Sequence, residues 1–156
     1  MGLFQRLVAG YRRISWADRL LWIQAYVWLG IMRFAINWVQ FSTVARLFGT
    51  HQAETPLQVS TEHRPVLRRV KWAIVSASRF TPWESNCFPQ ATAAQFLLRQ
   101  RGINSTLYLG AKLDDSKPNQ QRELKAHAWL RVGPYIVTGQ LGYKQFGVVA
   151  TFASQT

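Results

Sequence analysis

The single cysteine in the chain, Cys87, lies in the stretch Ser85-Asn86-Cys87-Phe88-Pro89-Gln90-Ala91, where a helix is expected to begin. Ser85 or Asn86 can cap that helix, and Pro89 is tolerated in a first turn because N–H groups there have no intrahelical acceptor. A sulfur held in the first turn faces the positive end of the helix dipole, which favours an anion, and the thiolate is the nucleophilic form of cysteine. Backbone N–H groups beside it, with Asn86 or Gln90 as side-chain donors, can stabilise a developing oxyanion. His127 falls 40 residues later in Ala126-His127-Ala128-Trp129-Leu130-Arg131-Val132, an alternating run that reads as a strand. Ala126, Ala128, Leu130 and Val132 form its core face, and His127 shares the other with Trp129 and Arg131. A free cysteine by itself more often fills core space, and a lone strand histidine is more often merely exposed. The pair carries more: a helix-borne cysteine followed by a strand-borne histidine is the order a thiolate–imidazole couple needs in an open sheet-and-helix fold.

The elements around these two residues follow from periodicity. Leu3, Phe4, Leu7, Val8 and Tyr11 predict a short amphipathic helix, and Ser15 with Asp18 three residues on caps a second. The run 20–39 has only Gln24, Arg33 and Asn37 as strongly polar side chains, which is long enough to span a bilayer. Arg33 inside it, with no evident partner, disfavours spanning and points to a buried or interfacial helix. Residues 49–65 read as a polar linker, 66–80 as a helix closed before Pro82, and the Cys87 helix ends at Arg99-Gln100-Arg101-Gly102. Ala91, Thr92, Ala93 and Ala94 let that helix sit close against a sheet. The period then changes to two, with strands at 106–109, 126–132, 135–138 and 147–152 and a polar loop at 114–122. The chain thus divides into an N-terminal helical region at 1–48, the linker at 49–65 and a core at 66–156.

Composition narrows the function classes. With 156 residues, 48% hydrophobic and 17% charged, the chain is sized for one globular core. One cysteine and three histidines, His51, His63 and His127, offer no zinc-ligand spacing, so no metal and no cofactor is expected, and a reducing, cytoplasmic setting fits. The net charge of +12 is spread as +5, +4 and +3 over 1–50, 51–101 and 102–156. Such a spread suits acidic peptides or anionic lipid; without a helix-turn-helix, RNA-binding or finger motif, nucleic acid is not expected as a partner.

Beyond the couple itself, Trp83, Ser85-Asn86-Cys87, Gln90-Ala91, Ala93-Ala94-Gln95, Leu97-Leu98-Arg99 and Gly102-Ile103 form a pattern. Leu107-Tyr108-Leu109-Gly110, Ala126-His127-Ala128-Trp129-Leu130, Val137-Thr138-Gly139 and Val148-Val149-Ala150-Thr151-Phe152 extend it. In these residues the chain resembles the transglutaminase-like cysteine peptidases of lasso-peptide biosynthesis, the stand-alone leader peptidases called lasso peptide biosynthesis B proteins. The resemblance covers 66–152 well and the Trp/Leu-rich 16–48 more loosely. It implies an α+β, papain/transglutaminase-like core, with a nucleophile helix on a small antiparallel sheet behind N-terminal helices. It further implies removal of a leader from a ribosomally made precursor peptide before a lasso cyclase closes the macrolactam. Cys87 and His127 are then catalytic, and Trp83 and Trp129, with Asn86 and Gln90, belong to the substrate- and oxyanion-binding set. An acyltransferase would form the same thioester, and a non-catalytic scaffold of a peptide-maturation complex would leave the thiol inert.

The pattern has one departure. Members of the superfamily commonly carry an aspartate on the strand after the histidine, whereas no acid follows Glu123 here. If Gly133-Pro134 is a two-residue reversal, Val132 faces Tyr135, Trp129 faces Thr138 and His127 faces Gln140, making the Gln140 amide the expected orienter of the imidazole. Thr138, Asp114, Asp115 and Glu84 are the fallbacks. The chain also has no room for a winged-helix leader-reading domain, so a separate leader-recognition protein is expected as partner. Arg68, Arg69 and Lys71 suit an acidic leader, and the aromatics Trp16, Trp22, Trp28 and Trp38 suit docking to a partner or peripheral contact with a membrane.

Overall fold

In the computed structural model, residues 14–114 and 123–156 are described; the helix expected over 3–11 and most of the 114–122 loop lie outside them. In chain order the elements are α1 (Trp16–Trp38), α2 (Phe41–Ala45), a 3₁₀ turn (Arg46–Phe48), β1 (Thr50–His51), α3 (His63–Ser78) and α4 (Cys87–Arg99). After α4 come β2 (Ser105–Asp114), β3 (Glu123–Val132), β4 (Tyr135–Thr138), a 3₁₀ turn (Tyr143–Gln145) and β5 (Gly147–Ser154). The strands form one antiparallel sheet in the order β1-β5-β2-β3-β4. The fold class is the expected α+β, with the cysteine-bearing helix on a small antiparallel sheet.

The central element is α4, whose residues from Ala91 to Leu98 are all buried, as is Pro89. Ala91, Ala93 and Ala94 have no exposed surface, so the helix axis approaches its neighbours closely, with β2, β3 and β4 among its contacts and α1 and α3 also packed on it. Its one buried amide, Gln95, donates to the carbonyls of Phe48 at 3.0 Å and Phe152 at 3.5 Å, tying the 3₁₀ turn and β5 to the helix. Gly102 ends the element with φ +67°, and Ile103 N–H returns to the Leu98 carbonyl at 3.0 Å, a closure that a left-handed residue makes without steric cost.

The N-terminal helix is part of the same core. Leu21, Ala25, Leu29 and Met32 recur at turns of α1 and are buried with the residues of α3 and α4. Trp28 stacks on Phe96 of α4, with centroids 4.6 Å apart. Ser15 caps α1 by accepting from Asp18 N–H at 3.1 Å, and Arg69 of α3 reaches the Asp18 carboxylate at 2.6 Å. Together the Ser15 hydroxyl and the Arg69 guanidinium hold the Asp18 carboxyl below its ordinary titration range. Arg33, for which the sequence suggested no partner, pairs with Glu84 at 3.5 Å. By length and composition α1 could cross a membrane, at a mean hydropathy of 1.2, yet its inward face is occupied by the core. Its other face leaves Trp16, Leu20, Ile23, Val27, Ile31, Phe34 and Trp38 exposed.

Three boundaries differ from the sequence expectation. The segment 49–65 is more than a linker: Thr50–His51 pairs with β5, and Thr55 is buried, its N–H donating to Thr106 Oγ1 at 2.9 Å. Arg131 is also buried there, bonded to the Thr55 and Gly133 carbonyls and to the Tyr108 hydroxyl. The helix α3 begins at His63 rather than 66, because Pro65 occupies its first turn, where a missing N–H costs no helical bond. Both β2 and β3 run outward to Asp114 and Glu123, where they remain paired.

Candidate functional site

Cys87 is the first residue of α4, half-buried, and capped by Asn86 in extended conformation. The Asn86 side chain makes no capping bond and lines the same cavity as the sulfur. Among the first-turn N–H groups, Pro89 has none to offer and that of Gln90 goes to the Asn86 carbonyl at 3.2 Å, which leaves those of Cys87 and Phe88. The Gln90 side-chain amide donates to the Ser85 carbonyl at 2.7 Å, bracing the turn ahead of the cysteine.

His127 sits on β3 opposite Gly110 of β2. Its ring stacks on Phe146 at 4.9 Å and Trp129 at 5.9 Å. Glycine at 110 is required by this packing, since a Cβ there would fall 2.7 Å from the Trp129 ring and 2.9 Å from Phe146. Cys87 and His127 line one cavity of about 400 Å³, walled by Ile36, Val39, Phe41 and Val44 from the N-terminal helices and by Phe88, Leu109 and Ala128. No hydrogen bond joins the sulfur to the imidazole directly; what they share is the cavity.

The imidazole is oriented by backbone. His127 Nε2 lies 2.8 Å from the carbonyl oxygen of Gly139. A carbonyl only accepts, so Nε2 carries the proton and Nδ1 is left with its lone pair, the state a base needs. Gly139 has φ +73°, and a Cβ on it would lie 2.3 Å from the Ala128 carbonyl oxygen, so both its backbone angle and its close approach call for glycine.

The expected orienter, Gln140, does not face His127. The hairpin begins as expected with Val132 opposite Tyr135, but a bulge follows: Arg131 pairs with Ile136 and Leu130 with Thr138, so Val137 is an extra residue and Thr138 opposes Leu130 rather than Trp129. Gln140 instead accepts from Lys71 Nζ at 3.4 Å. The fallbacks are also elsewhere: Glu84 pairs with Arg33 and Asp114 with Lys125, while Asp115 lies outside the described residues. Thr138 is buried, its hydroxyl without a protein partner.

The two tryptophans act on either side of the site. Trp83 packs on Tyr26 at 5.4 Å and over Gly30, where a Cβ would come within 3.1 Å of its ring, so it fastens α1 to the segment entering α4. Trp129 stacks in parallel on Tyr108, centroids 5.4 Å apart, and supports the His127 ring. Neither lines the Cys87 cavity.

A cysteine at a helix start, an imidazole on the sheet bonded to a backbone carbonyl and a cavity shared by the two are an arrangement compatible with cysteine acyl-transfer chemistry. The chain belongs to the transglutaminase-like superfamily, which it matches over residues 29–151, and that superfamily includes cysteine peptidases and acyltransferases. No curated protein and no solved structure matches it.

Proposed function

We propose that this protein is a cysteine endopeptidase that removes the leader from a ribosomally made lasso-peptide precursor before macrolactam cyclisation. The reading rests chiefly on one observation: Cys87 and His127 open into the same cavity, with the imidazole held by the Gly139 carbonyl. The residue pattern shared with lasso peptide biosynthesis B proteins supplies the substrate class.

In the mechanism, His127 Nδ1 takes the Cys87 proton as the sulfur attacks the carbonyl at the leader–core junction. The sulfur and Nδ1 come within hydrogen-bond reach as substrate fills the cavity, a contact that tightens in the complex of such couples. The oxyanion is met by the Cys87 and Phe88 N–H groups and the Asn86 amide. The carbon–nitrogen bond breaks, the core amine leaves with the proton from His127, and the leader remains as a thioester on Cys87. Water, deprotonated by His127, then hydrolyses the thioester. The Gly139 carbonyl steadies the imidazolium without an acid's charge. A separate recognition protein delivers the leader, raising its local concentration at the cavity, and the lasso cyclase consumes the freed core.

The test is incubation of the purified chain with a lasso precursor, with and without its recognition protein, read by mass spectrometry. Cleavage at the leader–core junction that is lost in Cys87→Ala is expected. A mass corresponding to amine transfer instead of water addition would identify an acyltransferase, and an unchanged precursor in both arms would refute the reading.

A further inference from the structure

Among the described residues β4 pairs only with β3, which makes it an edge strand of the sheet. Along it runs a groove of about 420 Å³ lined by Tyr135, Ile136 and Val137 together with Arg64, Leu67, Arg68 and Lys71 of α3. The bulge at Val137 breaks the strand's alternation, so Tyr135, Ile136 and Val137 border the groove together, beside the edge of β4 that has no strand partner among the described residues and whose backbone N–H and C=O groups await one. Arg64, Arg68 and Lys71 are spaced four and three residues apart, on one face of α3, and among the described residues no acidic side chain lines the groove. None of the three is paired with a carboxylate: Arg64 lies over the Tyr135 ring at 5.1 Å and Lys71 donates to Gln140, while Arg69, on another face, is the one spent on Asp18.

An unpaired strand edge beside three unneutralised cations is complementary to an extended, acidic peptide. We propose that β4 and the basic face of α3 bind such a segment by strand addition, its backbone pairing with β4 and its carboxylates meeting Arg64, Arg68 and Lys71. A peptide laid on β4 and continuing past Thr138 runs toward Gly139, the residue that holds His127. The groove is thus placed to hold a substrate's acidic stretch while the scissile bond lies at Cys87. Assigning the segment to the substrate rests on the peptidase reading; the binding itself does not.

The probe is a fluorescein-labelled decapeptide of alternating Glu and Val, titrated by anisotropy against the full chain carrying Cys87→Ala, so that no turnover intervenes. It is expected to bind at least tenfold more tightly than its Lys-Val counterpart, and to weaken as salt rises from 50 to 500 mM. Arg68→Glu combined with Lys71→Glu is expected to weaken binding at least tenfold at an unchanged melting temperature. N-methylation of alternate peptide amides is expected to do the same, because it removes the ladder donors. Equal binding of the acidic and basic peptides, or no effect of N-methylation, would overturn strand addition. Sedimentation with phosphatidylserine vesicles but no binding of the acidic peptide would overturn the peptide as occupant. Binding without any precursor cleavage by the wild-type chain, with its recognition protein present, would leave this site standing and refute the peptidase reading alone.

Discussion

His127 Nε2 and the carbonyl oxygen of Gly139 lie 2.8 Å apart, so the imidazole is held by backbone and not by the Gln140 side chain. Gly139→Ala places a Cβ against the Ala128 carbonyl at φ +73°, so the carbonyl must shift or the turn must rearrange. Strain of this kind costs about 1–3 kcal/mol. The expected outcome is a lower melting temperature together with a fall in kcat, while Gln140→Ala keeps kcat within about twofold of wild type because it holds no catalytic group. Steady-state cleavage of a leader–core peptide measures both; a crippled Gln140→Ala beside an active Gly139→Ala would return the orienting role to the glutamine.

Loss of the Cys87 thiol separates chemistry from folding. Cys87→Ala removes one small, half-buried side chain at a helix start, leaving little cavity, and is expected to abolish cleavage with a melting temperature close to wild type. His127→Ala is expected to be nearly as damaging to rate. Alkylation of the single thiol by iodoacetamide, followed by mass spectrometry, provides an independent readout that is silent in the alanine variant.

Two amides flank the cysteine, and their surroundings assign them different effects. The Asn86 side chain is uncommitted and lines the cavity, so Asn86→Ala is expected to lower kcat by about 10²-fold, the cost of one oxyanion donor. Gln90 is bonded to the Ser85 carbonyl, so Gln90→Ala is expected to act on stability, by about 1 kcal/mol, with a smaller effect on rate. Denaturant titration beside initial rates distinguishes the two, and the reverse pattern would exchange their roles.

The helices and strands that position the site were legible because their signals are side-chain patterns. The Ser15–Asp18 start of α1, the small-residue face of α4 and its Gly102 ending all have local chemistry that reads directly as structure. What the sequence concealed is carried by backbone. A carbonyl acceptor leaves no trace in residue type, and the only signal for Gly139 was a glycine closing Val137-Thr138-Gly139. The bulge at Val137 shifts the pairing by one residue, which is enough to move Gln140 from His127 to Lys71. The two-residue β1 has no periodicity to detect; it exists because β5 offers it a partner.

Acid should weaken the junction between α1 and α3. The Asp18 carboxyl, held below its ordinary value of 3.8 by Ser15 and Arg69, is ionised in the fold at a pH where the unfolded chain is already protonated. Its contribution is therefore complete above about 3.8 and lost as pH falls through the folded-state value. Asp18→Asn is expected to flatten this acid limb in melts between pH 2 and 5 and to lower the neutral-pH melting temperature by the same small contribution, which solvent screening keeps modest. An unchanged acid limb would show that Asp18 is not linked to folding.

The N-terminal helix should prove inseparable from catalysis. Leu29 is fully buried among residues of α1, α3 and α4, and Leu29→Ala is expected to cost about 2–5 kcal/mol. Removing residues 1–40 deletes that whole face together with Ile36 and Val39, two walls of the cavity, so the remaining chain is expected to lose its cooperative melt rather than form a soluble catalytic core. Trp38→Ala is the contrasting change, because Trp38 is 77% exposed, stacks on the exposed Phe34 and does not line the cavity. It should leave the melting temperature and the Cys87-dependent rate nearly untouched. A folded, active fragment lacking residues 1–40 would show instead that α1 is an appendage to the catalytic core.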